Sequence, residues 1–182
     1  MFRHIAVTLA FLAASCATAP EGSTTVELNI LAINDFHGNL EPPSSGGKVF
    51  NPATPREWGM VPAGGAPRLA TAVAQLVARN PANTIMIAAG DLIGASPLLS
   101  SLFHDEPTIE SMSKMGLALT SVGNHEFDEG WQELRRMQTG GCHPVDGCKG
   151  PAQFKGAEFQ YLAASTYLDT GDDIVETNTF TA

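Results

Sequence analysis

The stretch that decides the fold is residues 84–91, TIMIAAGD, in which a run of apolar and β-branched residues ends at a glycine and an aspartate. A short apolar run that stops at a turn signal predicts a buried strand, and Asp91 follows its carboxyl end directly. Two other stretches have the same form: residues 26–33 (VELNILAI) and residues 117–122 (LALTSV). The sequence therefore predicts three buried strands, each followed by polar side chains.

Helical patterns separate these strands. Residues 67–79 repeat apolar residues at the spacing of a helix packed on a sheet, and residues 131–137 indicate another helix. Asp105 is placed to cap a helix between them. Residues 159–165 (FQYLAAS) predict a fourth strand, and residues 34–64, rich in Pro and Gly, predict a long functional loop. Strands alternating with helices predict a layered α/β fold with parallel strand pairs.

Ligands of parallel sheets bind at the carboxyl ends of the strands, and five polar side chains fall there: Asp35, His37, Asp91, Asn124 and His125. In extended backbone, the first two would point to the same side. Oxygen and imidazole donors without cysteine suit Mn, Fe, Zn or Mg. Asp91, between the other groups in strand order, is the candidate to bridge two ions. A two-metal site of this kind fits phosphoester hydrolysis.

The charge of the chain favours a small phosphorylated substrate. Its 182 residues are about the length of one domain and carry 19 Asp and Glu against 10 Lys and Arg, a net charge of -9. Binding to a nucleic-acid polymer depends on Lys and Arg contacts with phosphates, so the acidity argues against such a partner. Metal ions would instead neutralise the phosphate of a small substrate.

Taken in order, three motifs resemble signatures of the calcineurin-like metallophosphoesterases: D-F-H at 35–37, A-A-G-D at 88–91 and V-G-N-H-E-F-D at 122–128. Residues 31–42 (LAINDFHGNLEP) are similar to the opening of one branch, the bacterial 5'-nucleotidase / UDP-sugar hydrolase / 2',3'-cyclic phosphodiesterase family. The resemblance covers residues 28–165. It implies a β-sandwich flanked by helices and a monomer that hydrolyses nucleotides or other phosphoesters.

The resemblance also implies roles for the strand-end residues. It places metal ligands on all three strand ends, with Asp35 and His37 at a first ion, Asp91 as the bridge and Asn124 at a second ion. The two divalent ions could be Mn, Zn, Mg, Co or Fe. His125 would be the catalytic histidine and Asp128 would orient its imidazole. Asp128 also lies just before the helix that contains Trp131 and could cap it, and the two roles are not exclusive. Glu126 is expected to form structural hydrogen bonds.

The sequence departs from the family pattern in what it lacks. Members bind the second metal with further histidines, one in a Gly-His-x-His element, and use a carboxy-terminal domain to stack the nucleoside base; neither is present in this sequence. His104 and His143 lie outside the motifs and are interpreted as ordinary loop residues. We therefore expect residues 26–182 to be the amino-terminal part of a catalytic domain, truncated and weakly active. The alternative is a non-catalytic exported fragment or binding module that binds metal weakly.

Residues 1–19 have the form of a signal peptide, and residues 20–25 read as a linker. The apolar run is shorter than the roughly 20 residues that span a bilayer. Cys16 ends a segment that resembles a bacterial lipobox, which would make it the lipidated residue, whereas ordinary cleavage would fall near residues 17–19. Both routes export the protein, to the periplasm or as a lipoprotein on the outer membrane of a Gram-negative-type bacterium.

The other two cysteines, Cys142 and Cys148, lie in a Gly- and Pro-rich segment. An exported protein meets an oxidising compartment, so a disulfide between them is the natural interpretation. The alternative, a zinc site of both cysteines with His143, has no fourth ligand. Cys16 is then the odd thiol, consistent with lipidation.

Overall fold

The computed structural model describes residues 25–50, 58–150, 152–169 and 174–176. The described elements, in chain order, are β1 (Asn29–Ile33), β2 (Gly47–Phe50), β3 (Trp58–Val61), α1 (Ala66–Val77), β4 (Thr84–Ala88), α2 (Leu98–Ser101), α3 (Glu106–Lys114), β5 (Leu117–Ser121), a 3-10 helix (His125–Phe127), α4 (Trp131–Thr139), β6 (Gln160–Leu162), β7 (Tyr167–Asp169) and β8 (Ile174–Glu176). Four strands form one sheet in the order β1-β4-β5-β6, and all three pairs are parallel. The predicted α/β fold with parallel strand pairs is confirmed.

The register of the sheet aligns the carboxyl ends of its strands. Ile33 at the end of β1 pairs with Ala88 at the end of β4, and Ala88 pairs with Thr120 in β5. Thr120 in turn pairs with Tyr161 in β6. Because these pairs lie side by side, the loops that leave β1, β4 and β5 emerge at one edge of the sheet.

The core lies where helices pack on this sheet. Its most deeply buried apolar side chains come from α3, α4 and the loop after β4: Leu92, Ile109, Met112, Leu134 and Met137. Each helix contributes apolar residues at helical spacing, as the sequence predicted. Because Leu92 belongs to the loop after β4, the core anchors this loop.

One prediction about local structure is wrong, and another is confirmed in position only. Residues 34–64 are more than a loop, because β2 and β3 form an antiparallel hairpin in which Phe50 lies edge-on to Trp58 at 5.9 Å. The hairpin escapes a pattern search because both faces are largely exposed, so no apolar alternation marks it. Asp105 occupies the N-cap position of α3, as predicted, but its side chain makes no capping hydrogen bond. Its backbone is left-handed with φ 59°, and its carboxylate accepts the Gly94 N–H instead.

The predicted signal peptide, including Cys16, lies outside the described residues, as do residues 177–182. A search of the described residues finds no helix that is both long enough and apolar enough to cross a membrane.

Candidate functional site

Backbone hydrogen bonds join the loops that follow β1 and β4. The Asp35 N–H donates to the Gly90 carbonyl at 3.2 Å, and the His37 N–H donates to the Asp91 carbonyl at 3.0 Å. These bonds continue the parallel pairing of the two strands beyond their ends. The candidate ligands of the first and second loops are thereby brought together by the backbone itself.

Three candidate site residues in these loops have left-handed backbone: Asp35 at φ 49°, His37 at φ 46° and Asp91 at φ 51°. The expectation of extended backbone at the first two is therefore wrong, although their side chains still meet, with His37 Nε2 3.8 Å from Asp35 Oδ1. A non-glycine residue in this region costs about 1–3 kcal/mol, and such residues cluster at ligand sites. The surrounding hydrogen bonds and core hold them in place.

Side chains from all three strand ends converge. His37, Asp91 and His125 bring one ligand atom each to within 4.8 Å of one another. The two imidazole rings lie edge to face, with centroids 4.8 Å apart. Asp35, whose side chain is 56% exposed, borders this group through His37, and Asn124 occupies an exposed position directly before His125.

The hydrogen bonds of His37 make it a suitable metal ligand. Its Nδ1 lies 3.0 Å from the Gly94 carbonyl oxygen, which can only accept, so Nδ1 carries the proton. In the neutral ring the lone pair then lies on Nε2, the nitrogen 3.8 Å from Asp35 Oδ1. An imidazole lone pair that faces carboxylate oxygens fits a divalent cation, and the donor set suits Zn, Mn or Fe. The residues present therefore fit a metal site.

His125 is paired with Asp128. Its Nδ1 lies 2.8 Å from an Asp128 carboxylate oxygen, and this hydrogen bond raises the pKa of His125 above its ordinary value, with the charges of Asp128 and Asp91 acting in the same direction. The alternative role for Asp128 as a helix cap is not observed, because α4 begins at Trp131 with Gly130 at its N-cap. The pair therefore favours a protonated imidazole at His125.

Glu126 ties the loops after β4 and β5 together. Its carboxylate is buried and accepts backbone N–H groups from Asp91 at 2.9 Å, Leu92 at 2.8 Å and Gly123 at 2.5 Å. These contacts agree with the structural hydrogen-bonding role expected for Glu126. Asp91, in turn, accepts the His125 N–H on Oδ1 at 3.1 Å. One buried carboxylate thus fixes the relative positions of the two loops.

A buried network of hydrogen bonds holds Gly94, whose carbonyl oxygen contacts His37. The Asp105 carboxylate accepts the Gly94 N–H at 3.1 Å and the Ser100 hydroxyl at 2.6 Å, while the Gly94 carbonyl is the partner of His37. Sequence reasoning assigned Asp105 to a helix cap and missed this role. The sequence shows only that Asp105 precedes a helix. Its contact with Gly94 depends on tertiary packing, so no local pattern indicates it.

Sequence reasoning also missed the two remaining described histidines. His104 and His143 are not isolated loop residues, because their rings stack with centroids 3.8 Å apart. They lie on different segments, so neither spacing nor local pattern signals the pairing. The second of them sits in the loop closed by Cys142 and Cys148, which form a disulfide with Cα atoms 4.4 Å apart.

Known proteins similar to this chain indicate its family. A family model described as calcineurin-like phosphoesterase matches residues 28–176. An uncharacterised Acinetobacter calcoaceticus protein from the pqq-V 5' region is 47% identical over 83% of this chain and 76% of its own length. Endonuclease YhcR of Bacillus subtilis is 37% identical over 85% of this chain, and a 5'-nucleotidase of Vibrio cholerae is 31% identical over 72%.

The chain spans only a small part of the longer relatives. It covers 12% of the Bacillus endonuclease and 22% of the Vibrio 5'-nucleotidase. Among solved structures, the NAD nucleotidase of Haemophilus influenzae (NadN) is similar, with a TM-score of 0.56 and 25% identity over 76% of this chain and 20% of that protein.

Proposed function

Because the chain belongs to the calcineurin-like phosphoesterase family, we propose that it is a metal-dependent phosphoester hydrolase of the 5'-nucleotidase type that acts on nucleotides. The observation that carries this proposal is the convergence of His37, Asp91 and His125 within 4.8 Å at the aligned strand ends. The similarity to the Vibrio 5'-nucleotidase and to NadN supports the nucleotide as substrate class.

The proposed ligands of two divalent ions come from all three loops: Asp35 and His37 for the first ion, Asp91 for both, and Asn124 for the second. Ions bound there would supply Lewis-acid activation of water and neutralise charge on the phosphate. The chain's own part is to hold these donors in fixed positions. Glu126 and the hydrogen bonds between the loops do this, since they leave the loops little freedom to separate.

His125 is the proposed catalytic histidine. Its imidazole carries a proton more readily because Asp128 accepts a hydrogen bond from Nδ1, which leaves an Nε2–H group for a phosphoryl oxygen. A proton donor placed in this way stabilises charge that develops on the phosphoryl group. Asp128 is then a positioning residue, because it acts through the imidazole.

A nucleotide is favoured over a nucleic-acid polymer on electrostatic grounds. The chain has a net charge of -9, whereas polymer binding depends on many Lys and Arg contacts with phosphates. The similarity to a protein named an endonuclease makes a polymer the competing substrate. A panel of AMP, a UDP-sugar, a 2',3'-cyclic nucleotide and single-stranded DNA distinguishes these classes.

We also propose that the protein acts as a monomer outside the cytoplasm. The form of residues 1–19 as a signal peptide supports export, and Cys16 is the proposed site of lipidation if it is retained. Labelling with a radioactive fatty acid separates the two routes, because a Cys16→Ser variant would lose the label only if lipidation occurs.

The central test is hydrolysis of AMP and p-nitrophenyl phosphate by the purified chain, with added Mn²⁺ and with chelator. We expect turnover that requires the metal. Asp91→Asn should lose the metal of the strand-end site and turnover together, whereas His125→Asn should keep that metal and lose about 10²–10⁴-fold in kcat.

Glu110→Gln is the matched control, because Glu110 is an exposed carboxylate on α3 whose Oε2 lies 3.9 Å from Lys114 Nζ. It should leave kcat and metal content unchanged. Turnover that persists in chelator, or that survives Asp91→Asn, would contradict the proposed function.

A further inference from the structure

A second cluster of histidine and carboxylate side chains lies beside the His125–Asp128 pair. His104 precedes α3 and His143 belongs to the disulfide loop, and their rings are parallel to within 3° with centroids 3.8 Å apart. Glu129, directly after Asp128, brings a carboxylate to both rings. Its Oε2 lies 3.0 Å from His104 Nδ1 and 4.0 Å from His143 Nε2.

Glu133, in the first turn of α4, adds a second carboxylate. Together with Glu129 and the two imidazoles, it offers a ligand atom in a group whose members all lie within 4.8 Å of one another. Glu133 also accepts hydrogen bonds from Arg136 at 2.6–3.0 Å. Each carboxylate oxygen has two lone pairs, so these bonds leave acceptor capacity for an ion.

On the other side of the ring stack lies Asp146. Its Oδ2 is 2.9 Å from His104 Nε2 and 4.0 Å from His143 Nδ1, the ring nitrogens that face away from Glu129. A histidine that binds a metal through one nitrogen usually donates the other N–H to a carboxylate, which fixes its ring orientation. Asp146 occupies that outer position for both rings.

We propose that this cluster is a metal site of the zinc class, separate from the strand-end site, with two imidazole and two carboxylate ligands: His104, His143, Glu129 and Glu133. Nitrogen and oxygen donors in this number suit tetrahedral Zn²⁺. Zinc bonds of about 2.0–2.1 Å place tetrahedral donors about 3.4 Å apart. The group must therefore contract by side-chain rotation, which the half-exposed Glu129 can supply.

The hydrogen-bond chemistry of His104 also favours a cation. Both of its ring nitrogens face carboxylate oxygens, which can only accept. Two states of the ring satisfy both contacts: an imidazolium that donates from each nitrogen, or a ring that donates from one nitrogen and binds a cation through the other. A divalent ion provides the second state, since it accepts the lone pairs of imidazole and carboxylate together. It also offsets the charge of Glu129, whose only described ion-pair partners are the two histidines.

Metal binding makes a specific demand on His143. In the structure its Nδ1 accepts the Asp146 backbone N–H at 3.0 Å, so the neutral ring carries its proton on Nε2. Binding through Nε2 requires the neutral ring to change tautomer: Nε2 loses its proton to solvent and Nδ1 takes one up in exchange, with no net release. The Nδ1–H group then donates to the Asp146 carboxylate. The backbone contact is lost in exchange, and the Asp146 amide resonance should shift when zinc binds.

The cluster shares no ligand with His37, Asp91 and His125. A metal here would fasten the Cys142–Cys148 loop to the start of α4, next to Asp128. The proposal does not depend on the proposed catalytic activity, and its test measures metal content alone.

The test uses the full chain carrying Asp91→Asn, which weakens the strand-end site, and measures zinc by mass spectrometry and by competition with a chelator. We expect one tightly bound zinc equivalent. Adding His104→Asn and His143→Asn should remove it and weaken affinity by more than about 100-fold, because loss of an outer carboxylate alone typically costs 10–100-fold. Asparagine is chosen because it tolerates the left-handed backbone of His104.

Two further variants test how zinc affinity depends on the outer carboxylate and on an unrelated exposed carboxylate. Asp146→Asn should weaken zinc binding about 10–100-fold, and the exposed control Glu110→Gln should not change it. If the double histidine variant loses its far-UV circular dichroism, Glu129→Gln, at an exposed position, provides the same decision. The proposal is overturned if the Asp91→Asn chain binds no zinc, or if the ligand variants bind it as tightly as Glu110→Gln.

Discussion

Replacing Glu126 with Gln should destabilise the protein and separate the two loops that carry Asp91 and Asn124. The Glu126 side chain is 2% exposed, and its two oxygens accept three backbone N–H groups. Glutamine keeps only one acceptor oxygen. Its NH₂ group must then face at least one buried N–H, and two donors cannot satisfy each other.

The magnitude follows from the contacts. Turning the amide oxygen toward Asp91 and Gly123 preserves two hydrogen bonds, in weaker neutral form, and leaves the Leu92 N–H without an acceptor. A buried unsatisfied donor costs about 1–3 kcal/mol, and bonds to a charged group are worth more than neutral ones. We expect Glu126→Gln to lower the free energy of unfolding by about 2–4 kcal/mol. At about 2–4 °C per kcal/mol, the Tm should fall by about 4–16 °C.

The assay is urea unfolding followed by circular dichroism, with chelator present so that metal binding does not contribute. Glu110→Gln makes the same chemical change at an exposed position and should alter stability by less than about 0.5 kcal/mol. A Glu126→Gln protein as stable as Glu110→Gln would refute the inference that this carboxylate holds the loops together.

Three other changes test the supports of the site. Arg136→Met should lower the free energy of unfolding in urea by about 3–5 kcal/mol, because it leaves the buried carboxylates of Glu106 and Glu133 without their cation. Stability equal to wild type would contradict this role of Arg136. Asp105→Asn should lower stability by about 1–3 kcal/mol, because asparagine leaves either the Gly94 N–H or the Ser100 hydroxyl without its carboxylate acceptor; thermal unfolding measures this loss. Replacing Cys142 and Cys148 with Ser should cost about 2 kcal/mol on the chain-entropy model, so dithiothreitol should destabilise the wild type but not the variant.

The parts of the fold that the sequence predicted correctly are those with a strong local signal. The apolar runs at residues 84–91 and 117–122 predict β4 and β5, and the polar residues after them mark the edge of the sheet. The β2–β3 hairpin was missed because its strands expose both faces and lie among prolines and glycines. Periodicity reports burial on one face, so an exposed hairpin leaves no such trace.

The candidate site divides along the same line. His37, Asp91 and His125 could be predicted because each follows a strand whose end is fixed by the parallel register. The left-handed backbone at the first two could not, since it depends on hydrogen bonds between separate loops. The stacking of His104 on His143 likewise arises from tertiary packing, which no local spacing encodes.

The central claim is that three strand ends form one metal site, and crystals of the chain soaked in Mn²⁺ test it most directly. We predict an anomalous-difference peak bonded to His37 and Asp91, within the group that also includes His125. A Mn²⁺ peak elsewhere, with none at these residues, would contradict the account.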